Sequence, residues 1–130
     1  MLTGIDTSFF YALAAGNPAA VEAWENRELL TSVLCFYELK KRLLKGDLKA
    51  WPTVLEDIAK AVEVAPVTIE VALKAGQVAH GTGMPAFDAV IISCFDVTGC
   101  GEVLTLDHHF KLFSKKGLKI TLLSAAALTA

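Results

Sequence analysis

Five short apolar runs separated by helical stretches constrain this 130-residue chain more than any other feature. They lie at 2–6, 29–33, 62–66, 102–106 and 119–122. Residues 8–15, 17–26, 33–44, 48–61, 68–79 and 86–97 read as helices between them. Several boundaries carry their own punctuation. Asn17-Pro18 gives an N-cap with proline at the first helical position, Thr68 gives another cap, and Gly16, Gly46 and Gly99 close helices. Pro52 falls in the first turn of the 48–61 helix, and Gly81 to Pro85 breaks the chain. A short helix carrying Phe110 and Phe113 ends at Gly117, and Ser124 is placed to cap a terminal helix. Strands alternating with helices predict an α/β domain with a mainly parallel sheet. The length fits a single domain over 1–130.

Apolar residues make up 54% of the chain, which suits a sheet covered on both faces or a surface that meets a partner. Twelve basic against 14 acidic residues give a formal charge of −2, so there is no global field for nucleic acid, and any such contact needs a local patch. Cys35, Cys94 and Cys100 form neither a CxxC motif nor a zinc spacing, and their odd number fits a reducing compartment. No signal peptide is visible and no apolar run approaches the ~20 residues of a membrane span. These features predict a cytoplasmic protein with no membrane association.

Four acids stand out by position. Asp6 follows the first apolar run, with Thr7 and Ser8 behind it, and Asp107 ends the fourth run, with Thr105 before it. In open α/β sheets, ligands bind at the carboxyl ends of strands. Each of these acids is also a favoured helix N-cap. Glu38 lies mid-helix among apolar neighbours, where Lys41 and Arg42 offer ordinary i+3 and i+4 ion pairs. Asp88 lies in the first turn of the most apolar helix, where the helix dipole favours a carboxylate but a buried unpaired charge is costly. Capping explains one such acid more readily than four. Carboxylates gathered at one sheet edge repel by about 4 kcal/mol per pair at ~4 Å and an effective dielectric of ~20. A divalent ion such as Mg²⁺ or Mn²⁺ would neutralise them.

The segments Ile5-Asp6-Thr7-Ser8-Phe9-Phe10, Phe36-Tyr37-Glu38-Leu39, Met84-Pro85-Ala86-Phe87-Asp88-Ala89-Val90-Ile91 and Leu104-Thr105-Leu106-Asp107-His108-His109-Phe110, in this order, resemble the PIN domain. Within it the resemblance is to the VapC-type toxin ribonucleases, over nearly the whole chain. It implies a three-layer α/β/α sandwich with a five-stranded, mainly parallel sheet. It also implies an acidic site binding Mg²⁺ or Mn²⁺ and metal-dependent endoribonuclease activity. Asp6, Glu38, Asp88 and Asp107 would be the catalytic metal ligands, and Thr7 or Ser8 would hydrogen-bond the cluster or the scissile phosphate. The implied partners are RNA, a small antitoxin protein and a second copy in a homodimer. His108 and His109 stand where many such proteins carry a further acid. They read as exposed residues of a short helix, although either could contact a phosphate. His80 reads as structural.

Two basic groups follow these acids. Lys40, Lys41, Arg42, Lys45 and Lys49 surround the Glu38 helix, and Lys111, Lys115, Lys116 and Lys119 follow Asp107. Both could flank the acidic centre and take phosphates, Lys41 and Arg42 foremost, or they could be solvated helix faces. Tyr37, Trp24 and Trp51 could stack on bases, or serve as core. The alternatives to a toxin are a PIN-like RNA-processing nuclease without an antitoxin and a non-catalytic α/β binding module whose acids are caps.

Overall fold

The computed structural model describes residues 1–124. Its strands are β1 (Leu2–Ile5), β2 (Glu28–Ser32), β3 (Glu63–Ala65), β4 (Glu102–Thr105) and β5 (Lys119–Leu122). Its helices are α1 (Thr7–Ala14), α2 (Pro18–Asn26), α3 (Val33–Leu44), α4 (Val54–Ala61), α5 (Ile69–Thr82) and α6 (Ala86–Thr98), with a 3-10 turn over His108–Leu112. The strands form one five-stranded sheet in the order β3-β2-β1-β4-β5, and all four pairings are parallel.

That order dictates the layers. From β1 the chain steps outward to β2 and β3, then jumps back across β1 to β4. Right-handed crossovers put α1 to α4 on one face and α5 with α6 on the other. The seam between β1 and β4 is therefore the topological switch point. The expected three-layer α/β/α sandwich is what forms. α6 comes down tightly on the centre of the sheet: a Cβ at Gly4 of β1 would lie 2.7 Å from Cγ of the fully buried Phe95. Ile5, Phe9 and Phe10 on one side of the sheet and Ile91, Ile92 and Phe95 on α6 are all core residues. The far end of α6 is tied down by Asp96, which is buried and meets Lys74 of α5 at 3.4 Å and Lys115 from the segment before β5. No helix among the described residues is long and apolar enough to cross a membrane.

Three boundaries differ from the sequence expectation. The 48–61 helix begins only at Val54. Leu48 adopts a positive φ of 57°, and Trp51 and Val54 donate backwards in tight turns to Leu48 and Trp51, so Pro52 precedes the helix. A residue before proline is sterically biased away from the helical region, which accounts for the late start. Gly81 does not break α5, which runs to Thr82 and ends where Gly83 takes the left-handed conformation with φ 75°. The helix expected after Asp107 is a 3-10 turn that leaves Phe113 outside it, although Phe110 and Phe113 are both buried. The terminal helix expected after Ser124 lies outside the described residues.

Candidate active site

The register of β1 against β4 builds the centre of the site. Ile5 pairs with Leu104, so the next residues, Asp6 and Thr105, stand side by side on the same face at the carboxyl ends of the two strands. Thr105 Oγ1 donates to Asp6 Oδ2 at 2.7 Å, and Ser8 Oγ donates to Asp6 Oδ1 at 2.8 Å. Both hydroxyls are themselves held by backbone donors beyond β4: Asp107 N–H to Thr105 Oγ1 at 2.9 Å and Leu106 N–H to Ser8 Oγ at 2.8 Å. Asp6 also caps α1, accepting from Phe9 N–H at 3.2 Å. Capping and site-forming are thus not alternatives at Asp6. The cap fixes the rotamer that aims the carboxylate at the switch point.

Three further acids reach the same place from three other elements. Asp107 caps the 3-10 turn by accepting from His109 N–H at 2.9 Å. The buried Phe110 anchors that turn in the core. Glu38, on α3, accepts from Thr7 Oγ1 at 2.6 Å, and it does so in place of the intrahelical ion pairs that its spacing suggested. Arg42 turns instead to Asp47 at 3.5 Å, and Lys41 Nζ sits 5.8 Å from the centre of the Tyr37 ring. Asp88 projects from the first turn of α6. Asp6, Glu38, Asp88 and Asp107 line one cleft of about 310 Å³, together with Thr7, Ser8, Tyr11, Arg42 and Ile91.

The electrostatics of this cleft are strained. Asp6 is 3% exposed. Its burial pushes the carboxyl up to about 7, against the hydrogen bonds from Thr105, Ser8 and Phe9 that favour the charged form. Burial also raises Asp88, helped by the charge of Asp107 and opposed by His109. His109 Nδ1 lies 3.1 Å from Asp88 Oδ2 and 3.2 Å from Asp107 Oδ1, bridging the two acids. His109 is exposed in a short helical turn, as expected, and its ring nitrogen in addition bridges two of the acids. The His108 side chain makes no hydrogen bond among the described residues.

The donors fit a hard divalent ion. Asp88, Asp107 and His109 each offer one ligand atom within 4.8 Å of the others. Asp6 is held on both oxygens, Oδ1 by Phe9 N–H and Ser8 and Oδ2 by Thr105 and, at 3.0 Å, by the same Ser8 hydroxyl, so a cation would share these oxygens with the donors that orient them. Among the described residues the buried Tyr11 Oη, on the wall of the same cleft, has no hydrogen-bond partner. Oxygen-rich, excess negative charge with an unmet polar atom beside it is a setting that a hydrated divalent cation would satisfy.

The other basic and aromatic expectations divide. Lys111 donates to Ile120 O at 2.8 Å and Lys115 pairs with Asp96, so these two lysines after Asp107 brace β5 and α6 and are not free to flank the acids. Trp24 and Trp51 pack edge-to-face at 5.8 Å, and Trp51 Nε1 donates to Asp57 at 2.6 Å, so this pair is packing. Tyr37 alone of the three stands beside the acidic cleft. Thr105 and Tyr11 were not singled out by sequence reasoning as members of the site.

The profile of one family, described as the PIN domain, matches residues 5–116. No curated protein matches the chain by sequence. Among solved structures the chain is similar to VapBC2 from Rickettsia felis, bound to a DNA fragment from its promoter, with a TM-score of 0.73 at 15% identity over 95% of this chain and 100% of that one. It is also similar to VapBC-5, of the VapBC family of toxin–antitoxin systems, from Mycobacterium tuberculosis, with a TM-score of 0.69 at 20% identity over 93% and 98% of the two chains. DNA-bound VapBC from Salmonella typhimurium gives a TM-score of 0.68 at 20% identity over 95% and 100%.

Proposed function

We propose that this chain, which belongs to the PIN domain family, is a metal-dependent endoribonuclease that hydrolyses RNA phosphodiester bonds. The observation that carries this reading is the convergence of Asp6, Glu38, Asp88 and Asp107, from four separate elements, on one cleft at the switch point of the sheet. So much negative charge, with one carboxyl driven up to about 7 by burial, has a physical purpose when a cation is held there.

Asp6, Asp88 and Asp107, with Glu38 completing the ring, would hold Mg²⁺ or Mn²⁺. Such an ion supplies charge to the scissile phosphate and lowers the pKa of a water. The chain's own residues do the rest. Ser8 and Thr105 fix Asp6, and Thr7 fixes Glu38, so the acids meet the substrate already oriented. Arg42 on the cleft wall and Lys41 one residue before it are the cations available to phosphates on either side of the scissile bond. Ile91 adds apolar surface to the cleft lining.

We read the biological role as that of the toxin of a toxin–antitoxin pair, acting in the cytoplasm as a homodimer and silenced by a small antitoxin protein. Structural similarity to proteins described as VapBC complexes supports it. Growth arrest on expression, relieved by co-expressing a neighbouring antitoxin frame, would separate this role from RNA processing. The enzymatic test is cleavage of single-stranded RNA with Mn²⁺, with Mg²⁺ and with chelator. Wild type should cleave only with metal and Asp6→Asn should not cleave while keeping its circular dichroism spectrum. Metal-independent cleavage, or full activity in Asp6→Asn, would overturn the assignment.

A further inference from the structure

Tyr37 and Phe87 are each the residue immediately before a cleft acid, Glu38 on α3 and Asp88 on α6. One residue of helix turns the side chain by about 100°, so an acid aimed into the cleft leaves its predecessor at the rim. The two rings meet there, with centroids 5.5 Å apart and planes tilted by 56°. They are nevertheless exposed, Tyr37 by 55% and Phe87 by 41%. Together with Lys41 and Arg42 they line a second concavity of about 330 Å³. It shares Glu38 and Arg42 with the acidic cleft, so the two adjoin.

We propose that Tyr37 and Phe87 form a stacking platform that takes one unpaired nucleobase of the RNA beside the bond to be cut. The proposal rests on the endoribonuclease reading and adds to it a subsite for one unpaired base next to the scissile phosphate. The argument is one of continuity and charge. A polynucleotide whose phosphate lies against the acids must send its neighbouring nucleotides out over the rim. On the α3–α6 side it meets two exposed rings with two cations of α3 beside them. Aromatic faces with Lys or Arg beside them are the surface on which unpaired bases stack, since every base offers a π-face and every linkage a negative charge. Lys41, now over the Tyr37 ring, has the reach to leave that face for a phosphate when a base arrives. An apolar peptide would use the rings but would make no use of the positive charge of Lys41 and Arg42 beside them.

The test is an abasic scan. A fluorescein-labelled single-stranded oligoribonucleotide containing one cut site is compared with copies lacking the base at each position flanking the cut, using KM and kcat with Mn²⁺. With wild type, one flanking position should raise KM by about ten-fold or more when its base is missing. The Tyr37→Ala/Phe87→Ala protein should show the raised KM with the complete oligonucleotide and no further change with the abasic copy. Tyr37→Phe, which keeps the ring, should behave as wild type. Equal KM for all abasic copies with wild type would overturn the platform. So would Tyr37→Ala/Phe87→Ala impairing only the binding of a protein inhibitor while RNA kinetics stay unchanged. Absence of cleavage by wild type on every oligonucleotide would instead strike the endoribonuclease reading itself, so the two failures are distinguishable.

Discussion

Thr105 donates its hydroxyl hydrogen to Asp6 across the seam between β1 and β4, at 2.7 Å. The bond joins residues 99 positions apart in sequence, and Thr105 is held in turn by the Asp107 amide. Two cleft acids are therefore linked through one hydroxyl. A hydrogen bond to an ionised, buried group is worth roughly 1.5–3 kcal/mol. Thr105→Val keeps the shape and removes the donor. The Asp6 carboxyl, already up at about 7, should move further up. The acidic limb of the pH–rate profile should shift to higher pH, with weaker Mn²⁺ binding at neutral pH. An unchanged acidic limb would mean that Asp6 ionisation does not control activity.

Asp6 also sets a pH dependence of stability in the metal-free protein. Its folded carboxyl titrates near 7, above the 3.8 of the unfolded chain. The folded state therefore holds a proton that the unfolded state has released. Between these values stability falls as pH rises, and this group's stabilising contribution is gone once pH passes about 7. Burial raises Asp88 in the same direction. With chelator present, thermal unfolding should shift downward by several degrees from pH 5 to pH 8, and Asp6→Asn should flatten most of that slope. Added Mn²⁺ should stabilise wild type more at pH 8 than at pH 5. A melting temperature that climbs over this range in chelator would contradict the sign.

What could be read from the sequence divides along physical lines. Asp6 and Asp107 were legible because apolar runs end at them, and a parallel sheet places such ends together. Asp88 was legible as a charge in the most apolar helix. The fold followed from the alternation of strand and helix periods. The partners were not legible. Thr105 meets Asp6 only through the strand register, which no local pattern encodes. His109 bridges two acids, one of them 21 residues away on α6, from within a 3-10 turn that the sequence pattern did not specify. Glu38 prefers Thr7 to its helical neighbours, a tertiary choice that helical spacing cannot anticipate. Lys111 and Lys115 looked like phosphate contacts because charge runs are read without the carbonyl and carboxylate that the fold brings to them.

Gly4 tests how tightly the site depends on the α6–sheet contact. An alanine methyl there would sit 2.7 Å from a buried phenylalanine ring with no space to retreat. Overpacking of this kind costs typically 1–3 kcal/mol. It should also push α6 outward and carry Asp88 with it. Gly4→Ala is expected to lower the melting temperature by several degrees and to weaken Mn²⁺ binding, although residue 4 touches none of the acids. Normal metal binding in a destabilised Gly4→Ala protein would show that Asp88 is positioned independently of that contact.

His109 occupies the gap between Asp88 and Asp107, with Nδ1 3.1 Å and 3.2 Å from their oxygens. Its hydrogen bond and charge hold Asp88 down against burial and against Asp107. The ring nitrogen fills the space between the two carboxylates, so a divalent ion shared by them would displace it. The ring is 57% exposed, so it has room to swing away. His109→Ala should therefore have two opposite effects. Without metal the two carboxylates lose their bridge, and the melting temperature should fall by a few degrees. With metal the site no longer has to expel a competitor, so calorimetric affinity for Mn²⁺ should rise several-fold and the Mn²⁺-induced gain in melting temperature should grow. Were His109 instead a ligand, its removal would weaken Mn²⁺ binding. The direction of that single change decides between a plug and a ligand.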